Sequence, residues 1–300
     1  MSKALTIDAR DATLVRPAPK TISWAWVGVV PFFLFAIMFM LLPTASLFIG
    51  TFQDQTGAFT LDNIFGLFRP DILNSYLLSI EISAVTAIGG GIFGFLLAYA
   101  VTLGGLPKQV RTGLMTFCGV ASNFAGVPLA FAFIATLGRA GLITVLLRNS
   151  FGIYLYDTGF NLYNFWGLSV VYMYFQFPLM VLIITPAIDG LKREWREATE
   201  NLGGTGWHYW RHIAFPILLP SILGTMILLF GNAFGAVATA YALTGGSLQI
   251  ITLKIGQQMR GDVLHNANLG YALAFGMFVI MALSLVGYSV LQRRSERWLR

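Results

Sequence analysis

The sequence predicts an all-α membrane protein with six transmembrane helices, and three observations predict it. Only 11% of the 300 residues are charged and 56% are hydrophobic, with a mean hydropathy of +0.72. A soluble domain carries about 25% charged residues because water must solvate its surface; here lipid must solvate most of it. Six stretches are long enough to cross a hydrocarbon core, which takes roughly 20 mainly apolar residues. Basic residues gather in alternate loops, as they do when a chain weaves through a membrane.

Residues 1–23 read as a polar tail carrying Lys3, Arg10, Arg16 and Lys20, with Pro17 and Pro19 discouraging helix. The apolar run that follows is longer than the roughly 7–15 residues of a signal-peptide core, so 24–50 is taken as an uncleaved first span. The others are 76–103, 113–137, 166–188, 217–243 and 270–291, and 293–300 is a second polar tail. Gly89, Gly90, Gly91, Pro128 and Pro178 lie inside spans, where neighbouring helices can satisfy the backbone that such residues free. The single cysteine, Cys118, sits in an apolar run and reads as a small hydrophobe.

With the N-terminus inside, the cytoplasmic segments hold fourteen basic residues, among them Lys108, Arg111, Lys192, Arg193, Arg196, Arg211 and those of both tails. The opposite side holds five, Arg69, Arg139, Arg148, Lys254 and Arg260, which completes the 19. That asymmetry places both termini in the cytoplasm. It also explains the net charge of +6 as topology rather than a nucleic-acid patch. The outer loops 53–75 and 138–165 are rich in aromatics such as Phe65, Phe68, Phe151, Tyr154 and Tyr156. Anchoring at headgroup level and docking of a partner both suit such residues.

The longest internal cytoplasmic segment, 189–215, carries the most information. Leu191, Trp195, Ala198 and Leu202 recur at helical spacing and mark one apolar face. Gly203 and Gly204 end that helix, Thr205 caps a second short one, and Pro216 and Pro220 set the entry into span five. The expected product is a helix–turn–helix elbow projecting from the membrane.

Within it stand Glu197-Ala198-Thr199, three residues, Gly203, nine residues, then Ile213-Ala214-Phe215-Pro216. This resembles the Glu-Ala-Ala signature of the permease subunits of binding-protein-dependent ABC importers, with Thr199 for the second alanine and Phe215 for a leucine. The resemblance runs from about Leu73 to the C-terminus and includes Ala98-Tyr99-Ala100. It implies the type I importer permease fold, with 24–292 as the permease domain and 189–215 as its coupling loop. Glu197, Ala198, Gly203, Trp207, Ile213 and Pro216 would then seat against an ATP-binding subunit. It further implies an inner (plasma) membrane location, an ATPase dimer, a second permease (paralogue or identical copy) and an extracytoplasmic substrate-binding protein. Tyr241-Ala242-Leu243-Thr244-Gly245-Gly246 with Leu253-Lys254-Ile255 looks like the polyamine, ferric-iron and phosphonate branch, so a polyamine-like substrate is the expectation.

The chain offers no catalytic site of its own. No lysine follows a glycine, so there is no phosphate-binding Gly-Lys-Ser/Thr loop. His208 and His212 share a helix face but lack carboxylates in a catalytic arrangement, and a solvated or partner-facing pair is preferred over a metal site. No cofactor or metal is expected, and ATP hydrolysis is assigned to another polypeptide.

Candidates for a translocation path are polar residues inside spans, which are costly against lipid. Thr225, Asn232 and Thr239 follow at heptad steps in span five, suiting either a pore lining or a close helix contact. Gln176 lies two residues before Pro178, where a kink would free carbonyls; Ser122 and Asn123 precede Gly126 and Pro128 in another bendable region. Glu81 is the only acid inside a span, roughly 7–8 Å below its outer end by helix rise. A cationic substrate, outer water or a neighbouring helix would each suit it. The competing reading is an ion-coupled secondary transporter, which would want more intramembrane ionisable groups and an internal repeat.

Overall fold

The computed structural model describes residues 28–260 and 266–297, with side chains through Gln292. The predicted tail 1–23, the start of the first span at Trp24 and residues 298–300 lie outside the described residues. Among the described residues six helical stretches are long and apolar enough to cross a membrane: Val30–Thr51, Pro70–Leu103, Val127–Phe151, Phe165–Asp189, Gly206–Gly235 and Ala267–Gln292. The chain separates into a unit ending at Ser46 and a larger one beginning at Leu47.

The smaller unit holds α1 (Val30–Ala36) and a π-helical turn, Ile37–Leu41, continuing into α2 (Leu42–Thr51). The helical stretch from Val30 to Thr51 is apolar, and Thr44 covers its hydroxyl by donating to the Met40 carbonyl.

In the larger unit, α3 (Asp62–Gly66) leads to α4 (Pro70–Leu103), which runs unbroken for 34 residues. Its length is about 51 Å, well beyond a core of about 30 Å, and it begins six residues before the predicted span. Proline at its first position is harmless because that amide needs no helical partner. α5 (Lys108–Asn123) and α6 (Val127–Leu137) divide the predicted third span, 113–137, between them, and α6 with α7 (Leu142–Phe151) makes up the third apolar stretch, Val127–Phe151. Then come α8 (Phe165–Asp189), α9 (Arg193–Asn201) and α10 (Gly206–Tyr209), a π-helical turn Trp210–Ala214, and α11 (Phe215–Gly235). The chain closes with α12 (Ala238–Thr244), α13 (Ile251–Arg260) and α14 (Ala267–Arg297).

α8 is the axis of the bundle. Asn164 caps it by accepting from the Gly167 amide at 3.0 Å, and Tyr172, Phe175, Met180 and Ile184 are fully buried. It packs on α4, α5 and α11. The α4–α8 contact depends on missing side chains: a Cβ on Gly90 would stand 2.5 Å from the Gln176 Cβ, and one on Gly94 2.6 Å from the Met180 Cβ. The same face of α4 carries Ser75, Ser79, Ser83 and Thr86, each donating to a carbonyl one turn back, so small polar residues enter the core with their hydroxyls satisfied.

Ion pairs mark the two ends of the bundle. At one end Arg111 of α5 meets Asp189 at 2.6 Å; at the other Lys254 meets Asp71 at 2.6 Å. The Asp71 end also holds the aromatic loop, where Arg139 lies over Tyr156 and Arg148 over Tyr154. In the same loop Leu162 is fully buried while Phe151 stays exposed.

Candidate functional site

The elbow at the Asp189 end forms as its residues predict. α9 stops at Asn201, and Gly203 follows with φ +77°, a left-handed conformation that glycine adopts without a Cβ clash. Thr205 then caps α10 through a reciprocal pair with His208, whose Nδ1 lies 2.8 Å from the Thr205 hydroxyl. His212 turns its Nδ1 to the His208 carbonyl at 3.1 Å, so both imidazoles serve the local backbone. Trp210 packs edge-on against Tyr99 of α4, tying the second arm to the membrane bundle.

The predicted apolar face of the first arm is only partly inward. Leu191 and Trp195 are half-buried, but Ala198 is exposed and Leu202 is 88% exposed. The inward position falls to Thr199, whose hydroxyl donates to the Trp195 carbonyl and whose own carbonyl receives the Gly204 amide. The helix face therefore rotates by one residue, because the turn at Gly203 must close against Thr199. What remains outward is Glu197, Ala198, Leu202 and, on the second arm, Trp207, which is 69% exposed. Glu197 is paired to Arg193 at 2.9 Å and Glu200 to Arg196 at 3.0 Å. Exposed pairs of this kind hold about 0.3–0.5 kcal/mol each, little enough for a partner to rearrange.

A second constellation lies where predicted spans break. The predicted third span, 113–137, breaks between α5 and α6, where Gly126 takes φ +76°, and the predicted fifth, 217–243, breaks between α11 and α12 at Ala236–Val237. The two breaks are joined: the Gly126 amide donates to the Thr239 hydroxyl at 2.8 Å, and the Tyr172 hydroxyl donates to the Ala236 carbonyl. Beside them opens a cavity of ≈ 560 Å³ whose wall includes Val127, Val237, Tyr241, Gly245, Gly246, Gln257 and Arg260. Broken helices expose backbone amides and carbonyls where they line a cavity, as at transporter sites.

Residues 90–300 match the family described as binding-protein-dependent transport system inner membrane component. The chain belongs to this family. It is thus the permease of a binding-protein-dependent ABC importer, a multi-pass inner-membrane component and not an enzyme. Among its relatives, the permease is 25% identical over 294 residues to the sulfate transport system permease protein CysW of Escherichia coli, spanning 96% of this chain and 95% of that one. It is 21% identical to the probable sulfate transport system permease protein cysT of Nephroselmis olivacea, over 80% of this chain and 79% of the other. The thiamine transport system permease protein ThiP of Escherichia coli matches at 26% over 51% of the permease, but only 28% of ThiP is covered. The fold is that of a bacterial ABC transporter involved in import of the acidic polysaccharide alginate, with a TM-score of 0.70 at 15% identity and coverage of 90% and 95%.

The permease brings few of the predicted path residues together. Gln176 is fully buried, its Nε2 donating to the Leu229 carbonyl of α11 at 2.9 Å; α8 continues through Pro178 as helix, and Gln176 pins two spans rather than facing an opening. The heptad stripe of span five is split by the break at Ala236. Thr225 is buried and bonds back to the Ser221 carbonyl, Thr239 is buried against Gly126, and Asn232 is exposed. Asn123 is exposed at the end of α5, its amide turned to the Gly119 carbonyl. Glu81 is exposed on the same face of α4 as Leu77, Ile88 and Ile92, and the earlier start of α4 puts it about 16 Å into that helix rather than 7–8 Å. Sequence reasoning missed Tyr172, one of two tyrosines in the run 170–175, and Arg260. The first break falls in the region read as bendable from Gly126 and Pro128.

Proposed function

We propose that the permease conducts a small oxyanion, of which sulfate is the type, from an extracytoplasmic binding protein into the cytoplasm, driven by a separate pair of ATP-binding subunits. Family membership together with the outward surface of the elbow carries this reading. Glu197, Ala198, Leu202 and Trp207 present small, charged and aromatic groups to a partner, with Gly203 setting the turn and Ile213 and Pro216 leading the movement into α11. An aromatic side chain that a partner can bury beside small residues is the kind of surface that takes most of an interface's energy. On this reading 24–292 is the permease domain, 189–215 the coupling loop, and the Asp189 end with both tails is cytoplasmic. A second permease completes the path.

The oxyanion replaces the polyamine drawn from the segment Tyr241–Gly246. The relatives named above serve sulfate and thiamine, and two of the three serve sulfate. Alternation between outward- and inward-facing states requires an element with two arrangements that both the ATPases and the substrate can bias. The paired breaks at Gly126 and Ala236, one of them on the helix that leaves the elbow, suit that role.

The test is reconstitution with the ATPase, the second permease and the binding protein, measuring ATP hydrolysis and labelled sulfate uptake. Hydrolysis stimulated by the binding protein and lowered by Glu197→Ala or Trp207→Ala supports the reading. Uptake that runs on an ion gradient without ATP would promote the secondary transporter instead.

A further inference from the structure

We propose that the cavity beside the paired helix breaks is an oxyanion-binding site within the permease itself, with Arg260 as its cation. The inference rests on the importer reading and assigns its ligand a place.

Four of the five basic side chains at the Asp71 end are already engaged by their own chain. Arg69 and Lys254 meet Asp71, Arg139 lies over Tyr156 and Arg148 over Tyr154. Among the described residues Arg260 alone of the five has no ion pair or ring partner, and it lines the cavity. The other polar groups there point the same way. Gln257 brings amide donors, and Thr252 has a buried hydroxyl with no hydrogen-bond partner. No Asp or Glu is present among the described lining residues.

The backbone is laid open as well. Gly245 and Gly246 have φ +59° and +87°, and a Cβ built on either, or on Gly256, would meet nothing within 4 Å. These three glycines therefore leave room where side chains would stand, and a ligand can approach the peptide groups. The start of α6, eleven residues long, borders the same space through Val127. Helix starts and free amides favour anions, and half-helix termini at a break are aimed at anionic groups in other transporters. Val237, Tyr241 and Leu253 make the rest of the wall apolar, so an anion leaving water there needs a cation and donors in place. A cation such as thiamine would meet Arg260 as a like charge.

The experiment uses the reconstituted complex with Cys118→Ala and Gly256→Cys in the permease, and Gln257→Cys as a second reporter. Two thiol reagents of similar size are compared, one bearing a sulfonate and one a quaternary ammonium. The sulfonate reagent is expected to react about tenfold faster, as a positive, partly enclosed site concentrates anions. Inorganic sulfate should slow it, Arg260→Gln should erase the preference, and Arg260→Lys should keep it. Equal rates, a preference for the ammonium reagent, or a preference that survives Arg260→Gln would overturn the site. Binding-protein-stimulated ATP hydrolysis in the same vesicles separates the two failures: if it persists the importer reading stands without this site, and if it is absent both fall.

Discussion

The Gly126 amide donates to the Thr239 hydroxyl at 2.8 Å, joining residues 113 positions apart at the two points where the predicted third and fifth spans are broken. Each break frees backbone groups that lipid cannot satisfy, and this bond closes one of them with a side chain from the other. The Tyr172 hydroxyl on Ala236 does the same for the second break. The two discontinuities thus stabilise each other.

Thr239→Val should therefore lower stability by about 1 kcal/mol, the low end of the cost of leaving a buried amide unpaired because Gly126 is only partly buried, with Thr239→Ser close to wild type. Thermal unfolding in detergent, followed by size-exclusion recovery, measures it. A valine variant as stable as wild type would mean the amide finds another partner.

Gly90→Leu should be more damaging. A Cβ there already lies 2.5 Å from Gln176, in the contact between α4 and the central α8, and overpacking costs about 1–3 kcal/mol or more. Gly113→Leu, at a position where a Cβ meets nothing within 4 Å, is the control. Equal yields of folded protein from both would refute the packing argument.

At the elbow, Gly203→Val should cost roughly 1–2 kcal/mol locally because a left-handed φ is strained for a residue bearing a Cβ, whereas Gly203→Asn should be milder. The bundle itself should keep its melting temperature, since a Cβ at Gly203 would meet nothing within 4 Å. ATP hydrolysis of the assembled complex is expected to fall with valine and largely survive with asparagine.

Trp207→Ala should weaken retention of the ATP-binding subunit at least tenfold, the scale of an exposed aromatic anchor, without destabilising the permease. Copurification through a tag on the permease reads this directly. Trp210→Ala, by contrast, removes the ring packed on Tyr99 and should lower both stability and retention.

Orientation has its own check. In the Cys118→Ala background, Leu202→Cys should react with a membrane-impermeant thiol reagent only from the cytoplasmic face, and Phe59→Cys only from the opposite one. Both side chains are well exposed, at 88% and 76%, so a failure to label would reflect sidedness rather than burial.

Much of this was legible in the linear sequence because the bilayer imposes a local rule. A crossing helix must hide its own backbone within roughly 20 apolar residues, so the number of spans follows from composition in short windows. The elbow followed from local chemistry too: glycine for the left-handed turn, threonine for the cap, prolines at the helix start. By itself the sequence determined the six spans, the charge asymmetry, the elbow and the kinship carried by residues 197–216. Tertiary structure decided where polar residues inside the spans point. Gln176 and Thr225 turned inward, Asn232 and Glu81 turned outward, and the stripe through Thr239 was cut by a break that no heptad spacing encodes. It also decided that α4 and α8 meet through Gly90 and Gly94, and that Arg260 reaches a cavity bordered by Val127. The physical reason is that burial in lipid constrains each helix alone, whereas a polar side chain's direction is fixed by whichever distant carbonyl or amide needs a partner.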